Sequence, residues 1–244
     1  MHSTLFRINI LCLQAICLTF LLLVFCSLMT GCTPRNTQQL VTEPIQSPVD
    51  FPENYYQQAI ISGSEVLQID TKQSLVTINV HRGGSLARLG HDHVIASHDV
   101  TGYVDVTAGR ADLYVPLDRL SVDEPGLRKE AGLSTQPSQD AVDGTRNNML
   151  GRVLEAERFP FALIGINLSR TDHSKLDVVI TLHNTIKKFE IPTQIDRLQG
   201  SLRISGQMTF NQTDFGITPF SILGGALQVQ DRVELRYSII AISI

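Results

Sequence analysis

Cysteine is scarce in this chain and badly placed for structural use. Of its four cysteines, Cys12, Cys17 and Cys26 fall inside one uncharged run, and the rest of the chain keeps only Cys32. A lone thiol makes no internal disulfide and no thiolate cluster, so a disulfide scaffold and a cysteine-rich metal site are excluded. Surplus positive charge is missing as well: 20 Lys and Arg stand against 24 Asp and Glu, a net charge of −4. A nucleic-acid binder needs a basic stripe to displace counterions, so that class is set aside. No run of charged residues reaches five, no internal repeat is visible, and no strand–helix rhythm suggests a parallel sheet. What remains is a composition 43% apolar over 244 residues, which suits one large folded domain or two small ones.

The apolar residues are unevenly spread. From Ile8 to Met29 there are 22 residues without a charge, preceded by Arg7 and followed by Leu28-Met29-Thr30-Gly31-Cys32. A basic start, an apolar centre and small residues at a cut site make a secretory signal. An uncleaved transmembrane anchor is the alternative, since about 20 apolar residues span a bilayer. The Gly31-Cys32 step resembles the lipobox of bacterial lipoproteins. That resemblance implies removal of residues 1–31 and acylation of Cys32, palmitate included. Thr33 follows the cysteine where Asp would retain the protein at the inner membrane. By the same resemblance the destination is the outer membrane of a Gram-negative cell, with the domain in the periplasm. A lipidated Cys32 leaves no free thiol, which excludes cysteine catalysis.

Residues 32–63 carry Pro34, Pro44, Pro48 and Pro52 among Gln, Asn and Thr, and are expected to form a flexible tether. The domain is then expected over 64–244, where alternation of period 2 marks strands. Val76, Ile78 and Val80 alternate with Thr77, Asn79 and His81, while Val104 and Val106 bracket Asp105 and Leu113 and Val115 flank Tyr114. Leu163, then Val178, Ile180 and Leu182, then Phe189 and Ile191 continue the pattern. Met208 with Phe210, and Val233, Leu235, Tyr237 and Ile239, complete eight or nine candidate strands. Ala108-Gly109, Thr171-Asp172, His183-Asn184 and Gln199-Gly200 punctuate them as turns. One helix is expected over Thr145 to Ala156 and a shorter one near Leu127 to Leu133, with the polar stretch Ser134 to Gly144 between them as a loop. Many short antiparallel strands and little helix predict an all-β barrel or sandwich.

Several ordered segments resemble the YceI-like family of bacterial exported proteins. They are Leu67-Gln68-Ile69-Asp70, the strand Ser74 to Val80, and Leu89-Gly90-His91-Asp92-His93 leading into Gly102-Tyr103-Val104-Asp105. Ser121-Val122-Asp123 and Phe159-Pro160-Phe161 follow, then Leu182-His183-Asn184 running into Lys187-Lys188-Phe189-Glu190-Ile191-Pro192. Asp214-Phe215-Gly216-Ile217 and the closing strand Val229 to Ile240 end the series. The resemblance implies an antiparallel lipocalin-like barrel with one short helix, whose interior takes a long apolar chain such as a polyisoprenoid or an isoprenoid quinone. On that basis the candidate lining is Val76, Ile78, Val80, Tyr103, Leu113, Val115, Leu163, Ile180, Met208, Phe210, Leu235 and Tyr237. Alternation alone does not separate a ligand tunnel from a filled core.

His91-Asp92-His93 is the sharpest polar feature. In an extended strand the two imidazoles share a side, as two ligands of Zn²⁺ or Cu²⁺ need, or they bond backbone at the barrel mouth and touch a ligand head group. Gly83-Gly84 and Gly224-Gly225 lack phosphate-loop spacing, and Gly83-Gly84-Ser85 lacks the flanks of a nucleophile elbow. The sequence therefore predicts a tethered, non-enzymatic binding protein without a cofactor, able to form a homodimer. A His91/His93 metal protein and a ligand-free interaction module are the alternatives.

Overall fold

The computed structural model describes residues 47–168 and 174–244. The expected signal segment, Cys32, the first part of the expected tether and the Thr171-Asp172 turn lie outside the described residues.

The alternating segments form β1 (Val66–Ile69), β2 (Leu75–Gly83), β3 (His93–Ser97), β4 (Thr101–Asp105), β5 (Arg110–Pro116) and β6 (Ser121–Val122). They continue as β7 (Phe161–Asn167), β8 (Lys175–Leu182), β9 (Thr185–Leu198), β10 (Ser201–Asn211), β11 (Ser221–Ile222) and β12 (Leu227–Ser243). Eight of them close an antiparallel ring in the order β1-β4-β5-β7-β8-β9-β10-β12, sealed by the β1–β12 pairing. Closure leaves the ring without a free edge and puts every second side chain inside.

The higher strand number has a simple origin. Along β12, Ser243 to Ala241 pair with Leu67 to Ile69, and Ser238 to Gln228 then pair with Leu75 to Gly83. Thus β1 and β2 are two pieces of one strand, interrupted by residues 70–74. In the same way β3 lies on β2 while β4 lies on β1, and β6 lies on β3 while β5 lies on β4. Three neighbouring strands are broken at one height. Side chains repair the ladder there: Ser74 Oγ accepts the Ile240 N–H at 3.0 Å, and Asp70 caps its turn by accepting the Lys72 N–H at 2.9 Å.

The β8–β9 turn follows from its residues. His183 and Asn184 both take positive φ, 51° and 58°, between the paired Leu182 and Thr185. Two left-handed residues make the type I′ hairpin that matches strand twist, with Asn in the place the turn favours.

Helix is more abundant than expected: α1 (Glu53–Ile61), α2 (Pro125–Glu130) and α3 (Gln139–Asn148), the last running into a π-turn over Met149–Val153. Ser138 caps α3, its Oγ accepting the Ala141 N–H at 3.3 Å. Most of the stretch expected as a loop before Thr145 is therefore helix. No residue of α3 is buried, so it has no apolar stripe for periodicity to find.

The packed structure also begins earlier than residue 64. Helix α1 lies inside the expected tether and docks on the outer face of β4 and β5 through tyrosines. Tyr56 is fully buried, stacks on Tyr103 at 5.0 Å and donates its hydroxyl to Asp112 Oδ2 at 2.6 Å. Tyr55 donates to Asp105 at 2.9 Å, and Tyr103 donates to Glu53 at 2.7 Å. Burial, reinforced by that Glu53 bond, pushes the Tyr103 phenol up to about 12. Burial also pushes Tyr56 far upward, so it remains a donor. A Tyr56→Phe variant removes one buried bond to a carboxylate and is expected to lose about 1.5–3 kcal/mol in urea denaturation. An unchanged midpoint would mean that α1 is not fastened through this bond.

Candidate functional site

Inside the barrel the inward phase of each strand meets at a cavity of about 200 Å³, counted as space open to the centre of a water molecule. Its wall carries Ile69, Val104, Leu113, Ile164, Ile180 and Ile204 and is carbon throughout, apart from the Met208 sulfur and the hydroxyls of Ser97 and Tyr237. The Tyr237 hydroxyl is satisfied inside the wall. It bonds Thr193 Oγ1 at 2.8 Å, which in turn donates to the Ile191 carbonyl at 2.9 Å. Burial raises its pKa, so it stays neutral.

Tyr237 sits across the ladder from Gly206. A Cβ at Gly206 would lie 2.5 Å from the Tyr237 hydroxyl and 2.8 Å from the Pro192 carbonyl. Gly206→Ala is therefore expected to cost about 1–3 kcal/mol in stability and to shift Tyr237 into the cavity. Near-UV circular dichroism and thermal melting together check this; a wild-type melt would show that the ring moves freely.

A second cavity of about 220 Å³ forms the mouth. It shares Ile78, Ile95, Leu120, Leu154, Leu182 and Phe210 with the interior cavity, so the two cavities adjoin through apolar side chains. The rim is mixed: Arg82, His91, His93, Thr145, Asn148 and Gln212 join Met149, Phe220 and Leu227.

His93 is the best-anchored polar group there. Its Nδ1 lies 2.6 Å from Asp123 Oδ2, and Asp123 Oδ1 accepts both the Val94 N–H at 3.1 Å and Arg128 Nη1 at 2.5 Å. Arg128 is 1% exposed and also donates to the carbonyls of Asp92, at 2.8 Å, and Thr135. Burial raises the Asp123 pKa, yet the bonds from His93, Val94 and Arg128 outweigh it and hold the carboxyl below the ordinary range. With Nδ1 committed to a carboxylate, the imidazole is held in a fixed orientation at the rim.

Most of the expected lining residues meet at these cavities. Val76, Leu113, Val115, Ile180, Met208, Leu235 and Tyr237 line the interior, Val80, His91 and His93 the mouth, and Ile78 and Phe210 both. Two do not. Tyr103 belongs to the outward phase of β4, under α1, while its neighbours Gly102 and Val104 set the inward phase. Leu163 pairs with Tyr114 and Thr181 on the outside of β7, whose inward residues are Ala162, Ile164 and Ile166. The residues missed include those two isoleucines, whose own alternation was legible. They also include Leu154, brought over the interior by the π-turn, and the Asp123–Arg128 pair, which nothing in the spacing joins to His93.

The two histidines are not a strand pair. Strand β3 begins at His93, and the His91 ring lies edge-on to it at 6.5 Å. Among the described residues no group of three His, Cys, Asp or Glu is arranged to hold a metal ion.

Residues 67–241 match the family model described as the YceI-like domain. No curated protein matches the chain. Among solved structures, a polyisoprenoid binding domain from Saccharophagus degradans superposes with TM-score 0.54 at 10% identity, covering 74% of this chain and 99% of that one. Burkholderia cenocepacia BcnA gives TM-score 0.47 at 11% identity, over 70% of this chain and 98% of that one. The Campylobacter jejuni YCEI protein gives 0.41 at 12% identity, over 60% and 81%. At such identities the first likeness speaks for the fold, while the family match runs from β1 into β12. This chain belongs to the YceI-like domain family.

Proposed function

We propose that the protein is a membrane-tethered periplasmic binding protein that carries or stores a long apolar lipid, a polyisoprenoid or an isoprenoid quinone, inside its barrel. The observation that supports this reading is the nearly all-carbon interior cavity, adjoined through apolar side chains by a mouth cavity that carries His91 and His93. The family membership and the polyisoprenoid-binding description of the Saccharophagus degradans domain point the same way.

Energy separates carriage from chemistry. Each methylene moved out of water gains about 0.8 kcal/mol, so a chain of tens of carbons is driven strongly indoors. Its alternative home is the bilayer, and exchange between two apolar environments gains almost nothing. Such a barrel shields a lipid away from the membrane and releases it at little cost. The ligand contacts are Val76, Ile78, Val80, Leu113, Val115, Ile180, Met208, Phe210, Leu235 and Tyr237, with His91 and His93 at the polar end. The anchor is acylated Cys32 at the outer membrane.

Native mass spectrometry of the protein purified from its own cell envelope, followed by organic extraction, tests the reading. A stoichiometric prenyl lipid is the expected result, and a bare protein mass overturns it in favour of a ligand-free interaction module. Tethering is tested separately: Cys32→Ser is expected to move the protein from the membrane fraction to the soluble fraction.

A further inference from the structure

The mouth is bordered by two segments that expose aliphatic side chains. The first, residues 84–90, is the greater part of the β2–β3 connection and presents Leu89, which is 64% exposed. The second, residues 216–230, contains no Asp, Glu, Lys or Arg in fifteen positions and presents Ile222 and Leu223, the latter 69% exposed. The loops are bound side by side, with the Leu86 N–H donating to the Ala226 carbonyl at 2.7 Å. Both contribute to the cavity mouth, Gly90 from one and Phe220, Leu227 and Val229 from the other.

Nothing in the fold calls for these leucines. Leu223 has φ +53°, a left-handed conformation that costs a leucine energy, beside Gly224 and Gly225 at +64° and +89°. A glycine or asparagine there would make the same turn without strain and without exposed carbon. The charged groups at this end are of both signs: Arg88 is next to Leu89, and Lys187 and Lys188 follow the β8–β9 turn, while Asp92, Glu155, Asp214 and Asp231 are engaged by Arg82, His183, Asn211 and Thr213. Exposed aliphatic tips on an uncharged fifteen-residue segment, with Arg88 beside Leu89, suit the headgroup and upper acyl region of a bilayer carrying anionic lipid. Fourteen residues separate Cys32 from Ser47, the first described residue, and at about 3.3–3.6 Å per residue no conformation of that stretch exceeds roughly 50 Å.

We propose that loops 84–90 and 216–230 dock on the lipid surface, seating the mouth on the bilayer so that the cargo passes between membrane and barrel without crossing water. This rests on the carrier reading for its purpose, though the docking itself requires no cargo. The chain has no tryptophan, so one inserted residue reports alone. Full-length L223W, L89W and L198W would each be reconstituted with phosphatidylethanolamine/phosphatidylglycerol vesicles whose acyl chains carry bromine. Leu198 is the control, 64% exposed at the β9–β10 turn on the other end of the barrel. The expected result is quenching by several-fold at 223 and 89 with little at 198. Equal quenching at all three positions, stronger quenching at 198, or none at 223 and 89 overturns the docking. Circular dichroism of each variant confirms folding, and L89W alone carries the test if the strained position rejects tryptophan. Quenching at 223 and 89 in a protein that yields no lipid on extraction would keep the docking and remove the carrier reading.

Discussion

Ala162→Phe is expected to leave a folded barrel that has lost most of its hold on an apolar ligand. Ala162 is one of the few small residues in the interior wall, beside its cross-strand neighbour Val115. A benzyl group at this point grows into open space rather than into packed neighbours, so the melting temperature should fall by only a few degrees. It would exclude about four methylenes of the cargo. At about 0.8 kcal/mol each, roughly 3 kcal/mol is lost, or about 100-fold in affinity. Displacement of a fluorescent fatty probe, alongside extraction of bound lipid, measures this. Unchanged affinity in a well-folded variant would place the ligand outside the barrel.

The largest effect on stability is expected from Asp123→Ala. The substitution strands the buried Arg128 guanidinium without its carboxylate and releases His93, and breaking such a pair costs about 3–5 kcal/mol. For a domain of this size that is a fall in melting temperature on the order of 10 °C. The acid limb gives a second signature. The folded pKa of Asp123 is depressed, so its contribution is complete above the unfolded value of about 3.9 and fades as pH falls through the lower folded value. Wild-type stability should therefore drop below about pH 4 with a slope that Asp123→Ala lacks. Parallel slopes would show that other carboxylates govern acid unfolding. Since the same pair orients His93 at the mouth, its loss should also loosen recognition of the cargo's polar end.

The barrel was legible because period-2 alternation is imposed by the pleat and survives without any alignment. The phase of that alternation was harder. On β7 the run Phe161-Ala-Leu-Ile-Gly-Ile is apolar on both faces, so Leu163 read as inward although Ile164 and Ile166 hold that side. Tyr103 misled for a related reason: an aromatic in a strand looks like core, and it is core, but of the small cluster beneath α1. That helix was hidden in a proline-rich stretch because its contacts are phenol–carboxylate bonds with partners some fifty residues away. The His93–Asp123–Arg128 set joins three segments through tertiary geometry, for which no local spacing exists.

The seam formed by β12 sets the order in which the molecule can come into being. This strand pairs with β1, β2, β10 and β11, so the first strand of the barrel has no lateral partner on that side until the 17 residues of β12 arrive. A chain emerging from its N-terminus cannot complete the ring piece by piece; it must wait, with its inner faces uncovered, for β12. Such late, long-range pairing makes folding slow.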